Sequence, residues 1–156
     1  MVKKELELYI HIPFCDRKCN YCDFLSFPAD EDTQRQYVKA LCKEIFYYGA
    51  HCRDYVVSTV YIGGGTPSWL WESDMAEIMD AVHKNFALLP DAEVSVECNP
   101  GTVTAQKFAV YRQSGINRIS LGLQSAQNVE LKMLGRIHTW EQFLKTYELA
   151  RSGGFS

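Results

Sequence analysis

Leu6, Leu8, Ile10 and Ile12 alternate with polar or aromatic neighbours, the two-residue period of a strand with one covered face, and the run stops at Pro13. Further on the period changes. Tyr37, Leu41, Ile45 and Tyr48 recur every three or four residues, which predicts a helix over about 32–49. The acidic Asp30-Glu31-Asp32 suits its N-terminus, and Gly49 is its expected stop. Val56–Ile62 is β-branched and apolar throughout, as expected of a buried strand, and it runs into Gly63-Gly64-Gly65-Thr66-Pro67-Ser68. A second helix begins there, with Met75, Ile78, Met79, Val82 and Phe86 on one face. Ala92–Glu97 alternates as a third strand, and Asn99-Pro100-Gly101 reads as a turn. Thr102 is the expected cap of a helix over about 103–114, closed by Gly115. Asn117–Gln124 reads as a fourth strand, about 127–134 as a short helix, and Thr139-Trp140-Glu141-Gln142 as the capping box of a last helix ending near Gly153-Gly154.

Strand and helix therefore alternate four times, with no internal repeat and no low-complexity linker. The expected fold is α/β, a parallel (βα)4 sheet with helical crossovers. Four parallel strands do not close a barrel, so the last strand should present an open edge. The sequence stops at Gly153-Gly154-Phe155-Ser156, where another strand would be expected. Residues 1–156 are accordingly read as the N-terminal part of a larger domain, and as an inert, weakly stable piece if taken alone.

Composition narrows the function. Net charge is −3, with no basic footprint for nucleic acid. No apolar run approaches the ~20 residues of a membrane span. The start, Met1 to Glu7, has two lysines but no apolar signal core, so export is not expected. Six cysteines without signs of secretion point to metal binding rather than a disulfide framework. Of these, Cys42, Cys52 and Cys98 read as small buried residues. Cys15, Cys19 and Cys22 form a Cys-x3-Cys-x2-Cys loop just after the first strand. Three thiolates on one loop suit an iron–sulfur cube held at three corners with the fourth iron open. A zinc site completed by His11 or Cys98 is the alternative, but zinc leaves the glycine run unexplained.

In parallel α/β folds chemistry gathers at the C-terminal ends of strands. All four strands obey that rule here: the first leads into the cysteine loop, the second into the glycine run, the third to Glu97 and the fourth to Gln124. The ordered pieces YIHIPFC, CNYCDF, YIGGGTPS, ECNPG, NRISLGLQS and LGRIH resemble the oxygen-independent coproporphyrinogen III oxidase family of the radical S-adenosylmethionine (SAM) superfamily. They resemble best its heme-chaperone (HemW-like) branch. The oxidase branch carries a further cysteine two residues after its third ligand, whereas this sequence has Phe24 there.

The resemblance implies the first four units of a partial (β/α)6 radical SAM barrel. It implies a [4Fe–4S] cluster on Cys15, Cys19 and Cys22, whose open iron takes the amino and carboxylate groups of SAM; one electron then splits SAM into methionine and a 5′-deoxyadenosyl radical. Gly64, Gly65 and Thr66 would approach the methionine end of SAM, and Glu97 would accept from its amine or ribose. Gln124 and Arg136 match family positions near a second SAM, with Arg136 suited to a SAM or propionate carboxylate. Tyr9 and Tyr21 match SAM-adjacent positions; a packed aromatic is the plainer reading of each. His11, His51, His83 and His138 are read as structural or surface residues rather than heme ligands, and Trp69, Trp71 and Trp140 as packing at helix starts. The implied protein is cytoplasmic, binds and delivers heme, and needs an electron donor and a heme recipient. The alternative is oxidative decarboxylation of coproporphyrinogen III to protoporphyrinogen IX.

Overall fold

The computed structural model describes residues 4–156, and Met1–Lys3, where the reading of the N-terminus begins, lie outside it. Four parallel strands lie side by side in chain order: β1 (Lys4–Ile12), β2 (Tyr55–Gly64), β3 (Leu88–Cys98) and β4 (Arg118–Leu121). Between them run α1 (Glu31–His51), α2 (Glu72–Asn85) and α3 (Ala105–Gln113). α4 (Asn128–Met133) and α5 (Trp140–Ser152) follow β4. This is the expected parallel (βα)4 sheet.

The alternation in β1 does what its period predicts. Ile10 and Ile12 are buried, as are Val57, Val60 and Ile62 of β2 and Val94 and Val96 of β3, packed with Val38, Leu41 and Ile45 of α1 and Met75, Ile78, Met79 and Val82 of α2. The intervening positions, Tyr9 and His11 on β1, Tyr61 on β2, Glu93, Ser95 and Glu97 on β3, and Arg118 and Ser120 on β4, form the other face. The register sets Tyr9 beside Tyr61, Tyr61 beside Ser95, and Ser95 beside Arg118. That face is a polar lining, with Arg118 Nη1 donating to Glu93 at 3.3 Å and Ser95 Oγ donating to the same carboxylate at 2.9 Å.

Several boundaries differ from expectation for identifiable reasons. Gly49 does not stop α1; it lies buried inside it, where a Cβ would stand 2.6 Å from both Cβ and O of Asn85. It is a contact point between α1 and the end of α2. The cap of α3 is Thr104, whose hydroxyl accepts from Lys107 N, while Thr102 instead donates to Asn99 O at 2.7 Å. β3 begins at Leu88 rather than Ala92, because a register shift between Val57 and Thr59 accommodates the segment containing Pro90. After the glycine run comes a single 3-10 turn, Pro67–Trp69, and α2 starts only at Glu72. β4 ends at Leu121, so Gln124 stands in the loop beyond it, with φ of 70°. The capping box of α5 forms as predicted, between Thr139 and Gln142. At the chain end, Ser156 N donates to Asn117 O at 3.2 Å and Ile119 N donates to Ser156 O at 3.1 Å, so Ser156 sits against the free side of β4.

Candidate cofactor site

The cysteine loop is built from its two ends. Phe27 N donates to Pro13 O and Cys15 N to Phe27 O, at 2.9 and 3.2 Å, which closes residues 13–27 into one loop. Phe14 anchors it, buried edge-on against both Phe27 and Tyr37. The far side is pinned to the end of α4, where Asn20 donates from its main chain to Leu134 O and from its side chain to Met133 O. The glycine run is stitched to the same segment: Gly65 N donates to Ile12 O at 2.8 Å and Thr66 N to Phe14 O at 2.7 Å. Gly64 has φ of 118°, a left-handed value, and a Cβ there would meet the His11 ring at 2.6 Å.

The strand ends enclose a cavity of about 430 Å³. That is within the usual range for small-molecule sites. Its wall includes Cys15, Cys19 and Cys22 with Tyr21 from the loop after β1, Gly64, Gly65 and Thr66 after β2, Glu97 and Asn99 at the end of β3, and Gln124 and Arg136 beyond β4. Of the residues assigned to the cluster or to SAM from the sequence, Tyr9 alone is not on this wall. It lies on the polar sheet face below, stacked on Tyr61 with ring centroids 6.3 Å apart. Burial first, and the Glu97 charge second, raise its pKa.

Glu97 is held rather than free. Gly64 N donates to Oε2 at 3.0 Å and Tyr61 OH to Oε1 at 2.7 Å. Burial, then the carboxylate that Tyr61 faces, push that phenol up to about 12. Arg136 reaches across the cavity from the turn after α4. Nη2 donates to Asn99 Oδ1 and Gly122 O, each at 2.9 Å, and Nη1 lies 3.7 Å from Cys19 Sγ and 3.5 Å from Tyr21 OH. Nε donates to His138 Nδ1 at 3.3 Å. Cys15 Sγ lies 3.3 Å from Thr66 Oγ1.

The donor set fits an iron–sulfur cube better than zinc. His11 has both nitrogens engaged: Nε2 faces Leu25 O at 3.0 Å and so carries the proton, while Nδ1 accepts from Tyr9 OH at 2.9 Å. Cys98 is buried, and that burial pushes its thiol up to about 12, away from the thiolate a metal needs. Neither proposed fourth zinc ligand is available. The three loop thiols share one wall and are all partly accessible. The three could hold an iron–sulfur cube at three corners, and the same cavity wall also carries glycine backbone and the Glu97 carboxylate.

Two residues passed over as site residues in the sequence belong to it: Asn99, on the cavity wall, and Tyr61, which holds Glu97. Asn99 sits in ECNPG and reads locally as a turn former; only the tertiary fold shows its side chain between Thr66 and Arg136. The structural reading of the histidines holds for His138, buried between Arg136 and Leu123 O, and for His83, bonded to Ser114 O. Cys42 and Cys52 are half-buried and free, away from the cavity.

The family model described as the radical SAM superfamily matches residues 9–156. The heme chaperone HemW of Escherichia coli (strain K12) is 42% identical over 150 residues, which cover 96% of this chain and 40% of that protein. HemW of Bacillus subtilis (strain 168) is 35% identical over 150 residues, covering 94% of this chain and 39% of that protein. Among solved structures, coproporphyrinogen III oxidase (HemN) from Escherichia coli, described as a radical SAM enzyme, matches with a TM-score of 0.90 and 29% identity over 99% of this chain and 36% of that chain. Archaeal Elp3 from Methanocaldococcus infernus, at 14% identity and a TM-score of 0.59, covers 100% of this chain and 37% of its own and shares the fold alone. The chain spans about 40% of the length of these curated relatives. Membership of the superfamily implies a [4Fe–4S] cluster and SAM as cofactors.

Proposed function

Since the chain belongs to the radical SAM superfamily, we propose that Cys15, Cys19 and Cys22 hold its [4Fe–4S] cluster and that the cavity beside them takes SAM. One observation carries this: the features at all four strand ends converge on a single cavity wall. When bound, the reduced cluster and SAM supply one-electron cleavage of a sulfonium carbon–sulfur bond. The chain's own residues bind and orient. Gly64 and Gly65 offer bare main chain, Thr66 a hydroxyl, Glu97 an acceptor already fixed by Tyr61 and Gly64 N, and Arg136 a cation for a carboxylate. Gln124 and Tyr21 close the rim, and Tyr9 stacks on Tyr61, the residue that holds Glu97. Residues 1–156 form the N-terminal part of the radical SAM core.

For the whole protein the proposed role is that of a HemW-like heme chaperone in the cytoplasm, binding heme and passing it to a recipient protein, with a separate electron donor for the cluster. Two observations support it: the named relatives at 42% and 35% identity are heme chaperones, and Phe24 stands on the cavity wall where the oxidase branch has a cysteine. Among the described residues no helix is long and apolar enough to cross a membrane.

Anaerobic reconstitution with iron and sulfide, followed by electron paramagnetic resonance with and without SAM, tests the site. The expected result is a cluster signal that SAM changes. Replacement of Cys15, Cys19 or Cys22 by Ala abolishes the visible absorbance, and Cys42→Ala or Cys52→Ala does not. Stoichiometric zinc without iron or sulfide in anaerobically purified protein would reverse the assignment. Incubation with heme and, separately, with coproporphyrinogen III tests the role. Heme binding without decarboxylation is expected, and a decarboxylated product would replace the chaperone with the oxidase.

A further inference from the structure

Asn99 hydrogen-bonds to no thiol, yet both of its amide atoms are committed. The facing atoms settle which end is which. Arg136 Nη2 can only donate, so the Asn99 atom 2.9 Å from it is the carbonyl Oδ1. The amide nitrogen therefore faces Thr66 Oγ1, at 3.0 Å, and donates to it. A hydroxyl that accepts from one side still has one proton to give. The Thr66 side chain is buried, at 4% exposure, and Cys15 Sγ stands 3.3 Å away. A thiolate there can only accept. The Asn99 amide thus fixes the direction of a chain that ends on Cys15, while its other end holds the guanidinium whose Nη1 lies 3.7 Å from Cys19 Sγ.

We propose that Asn99 is a positioning residue that turns the Thr66 hydroxyl proton onto Cys15 and holds Arg136 beside Cys19, so that two of the three cluster sulfurs are hydrogen-bonded through one amide. This rests on the proposed cluster site. Hydrogen bonds to cluster sulfurs tune the reduction potential, and a donated proton raises it because the reduced cluster carries more negative charge. An aspartate in place of Asn99 has nearly the same shape and still accepts from Arg136. It cannot donate to Thr66. The Thr66 proton would then turn to the carboxylate and leave Cys15.

The test is the midpoint potential of the reconstituted cluster without SAM, with iron and sulfide content measured first. Thr66→Val and Asn99→Asp are both expected to lower the potential, and Thr66→Ser, which keeps the hydroxyl, to restore the wild-type value. Asn99→Asp also adds a charge, so it is repeated on Thr66→Val, where its shift should shrink because no hydroxyl remains to turn. An equal shift in both backgrounds would mean that charge alone acts, and would overturn the proposal. Asn99→Ala adds no charge and serves if Asn99→Asp loads poorly; it is expected to lower the potential by less, and a wild-type value would overturn the proposal. If wild type forms no cluster, the cluster assignment itself fails; if it does and these variants leave the potential unmoved, only the role of Asn99 fails.

Discussion

Arg136 is the most heavily constrained side chain of the cavity, and one of its constraints titrates. His138 Nδ1 accepts from Arg136 Nε at 3.3 Å, and His138 Nε2 faces Leu123 O at 3.2 Å, so the ring is held neutral with its proton on Nε2. Burial, then the Arg136 charge, lower its pKa below the ordinary 6.5. The sign of the linkage follows. Below 6.5 the unfolded chain takes up a proton that the folded chain still refuses. The contribution of neutral His138 is therefore complete above 6.5 and is lost as pH falls through 6.5 to the lower folded value. Denaturant unfolding should give a smaller free energy at pH 5.5 than at pH 7.5, and His138→Gln should flatten that difference. An unchanged slope in the variant would place the titration elsewhere. Asn99 was illegible as a site residue because its side-chain partners lie far away in the sequence. Asn99 meets Thr66 and Arg136 across separations of 33 and 37 residues. The three cysteines were legible because their chemistry is carried by spacing within one loop.

At the scale of elements, period and capping chemistry were reliable and isolated glycines were not. Gly49 shows why. Its position after an apolar helical run has the look of a helix stop. Its actual role is set by Asn85, which approaches so closely that no side chain fits. Exchange for alanine favours a helix by about 0.5–1 kcal/mol when space is free. Here the added methyl meets backbone oxygen as well as a Cβ, and overpacking of that kind costs about 1–3 kcal/mol. Gly49→Ala should therefore lower the unfolding midpoint, with the loss read by thermal or denaturant melts, whereas the same exchange at an uncrowded position inside the helix would have gained stability. The same reasoning explains the displaced cap of α3. Thr102 is drawn off the helix by Ser68 and Asn99 O, which tie the loop after β2 to the loop after β3, and Thr104 takes over the capping. The buried Lys107 reinforces that tie by donating to Ser68 O and Leu70 O, each at 2.9 Å. Loops that cradle a ligand are thus fixed before the ligand arrives, at the expense of the local pattern a sequence would display.

On the scale of the whole molecule, the sheet is covered on one face and open on the other. The expectation of a weakly stable chain rested on the open edge of β4 and on core surface that further strands would cover. The sheet face away from the helices carries Tyr9, Tyr61, Glu93 and Arg118 around a buried Ser95, linked to one another across the strands, and leaving these uncovered forfeits far less than exposing Ile10, Ile12 or Val60 would. What holds the four strand ends together at the cavity is less apolar packing than a set of polar contacts around empty space. Filling that space should matter to the entire fold. A ligand that binds only the folded state at 100 times its dissociation constant adds about 2.7 kcal/mol. For a domain of this size each kcal/mol moves the midpoint by roughly 2–4 °C. SAM should accordingly raise the thermal midpoint of the cluster-loaded protein by about 5–10 °C and leave the apoprotein nearly unmoved, because its amino and carboxylate groups need the open iron. Arg136→Ala should reduce the shift if, as proposed, it supplies the cation for the SAM carboxylate. A SAM-induced shift of equal size in the apoprotein would show that the glycine run and Glu97 bind SAM without the cluster, and would separate two functions that the proposed site joins in one cavity.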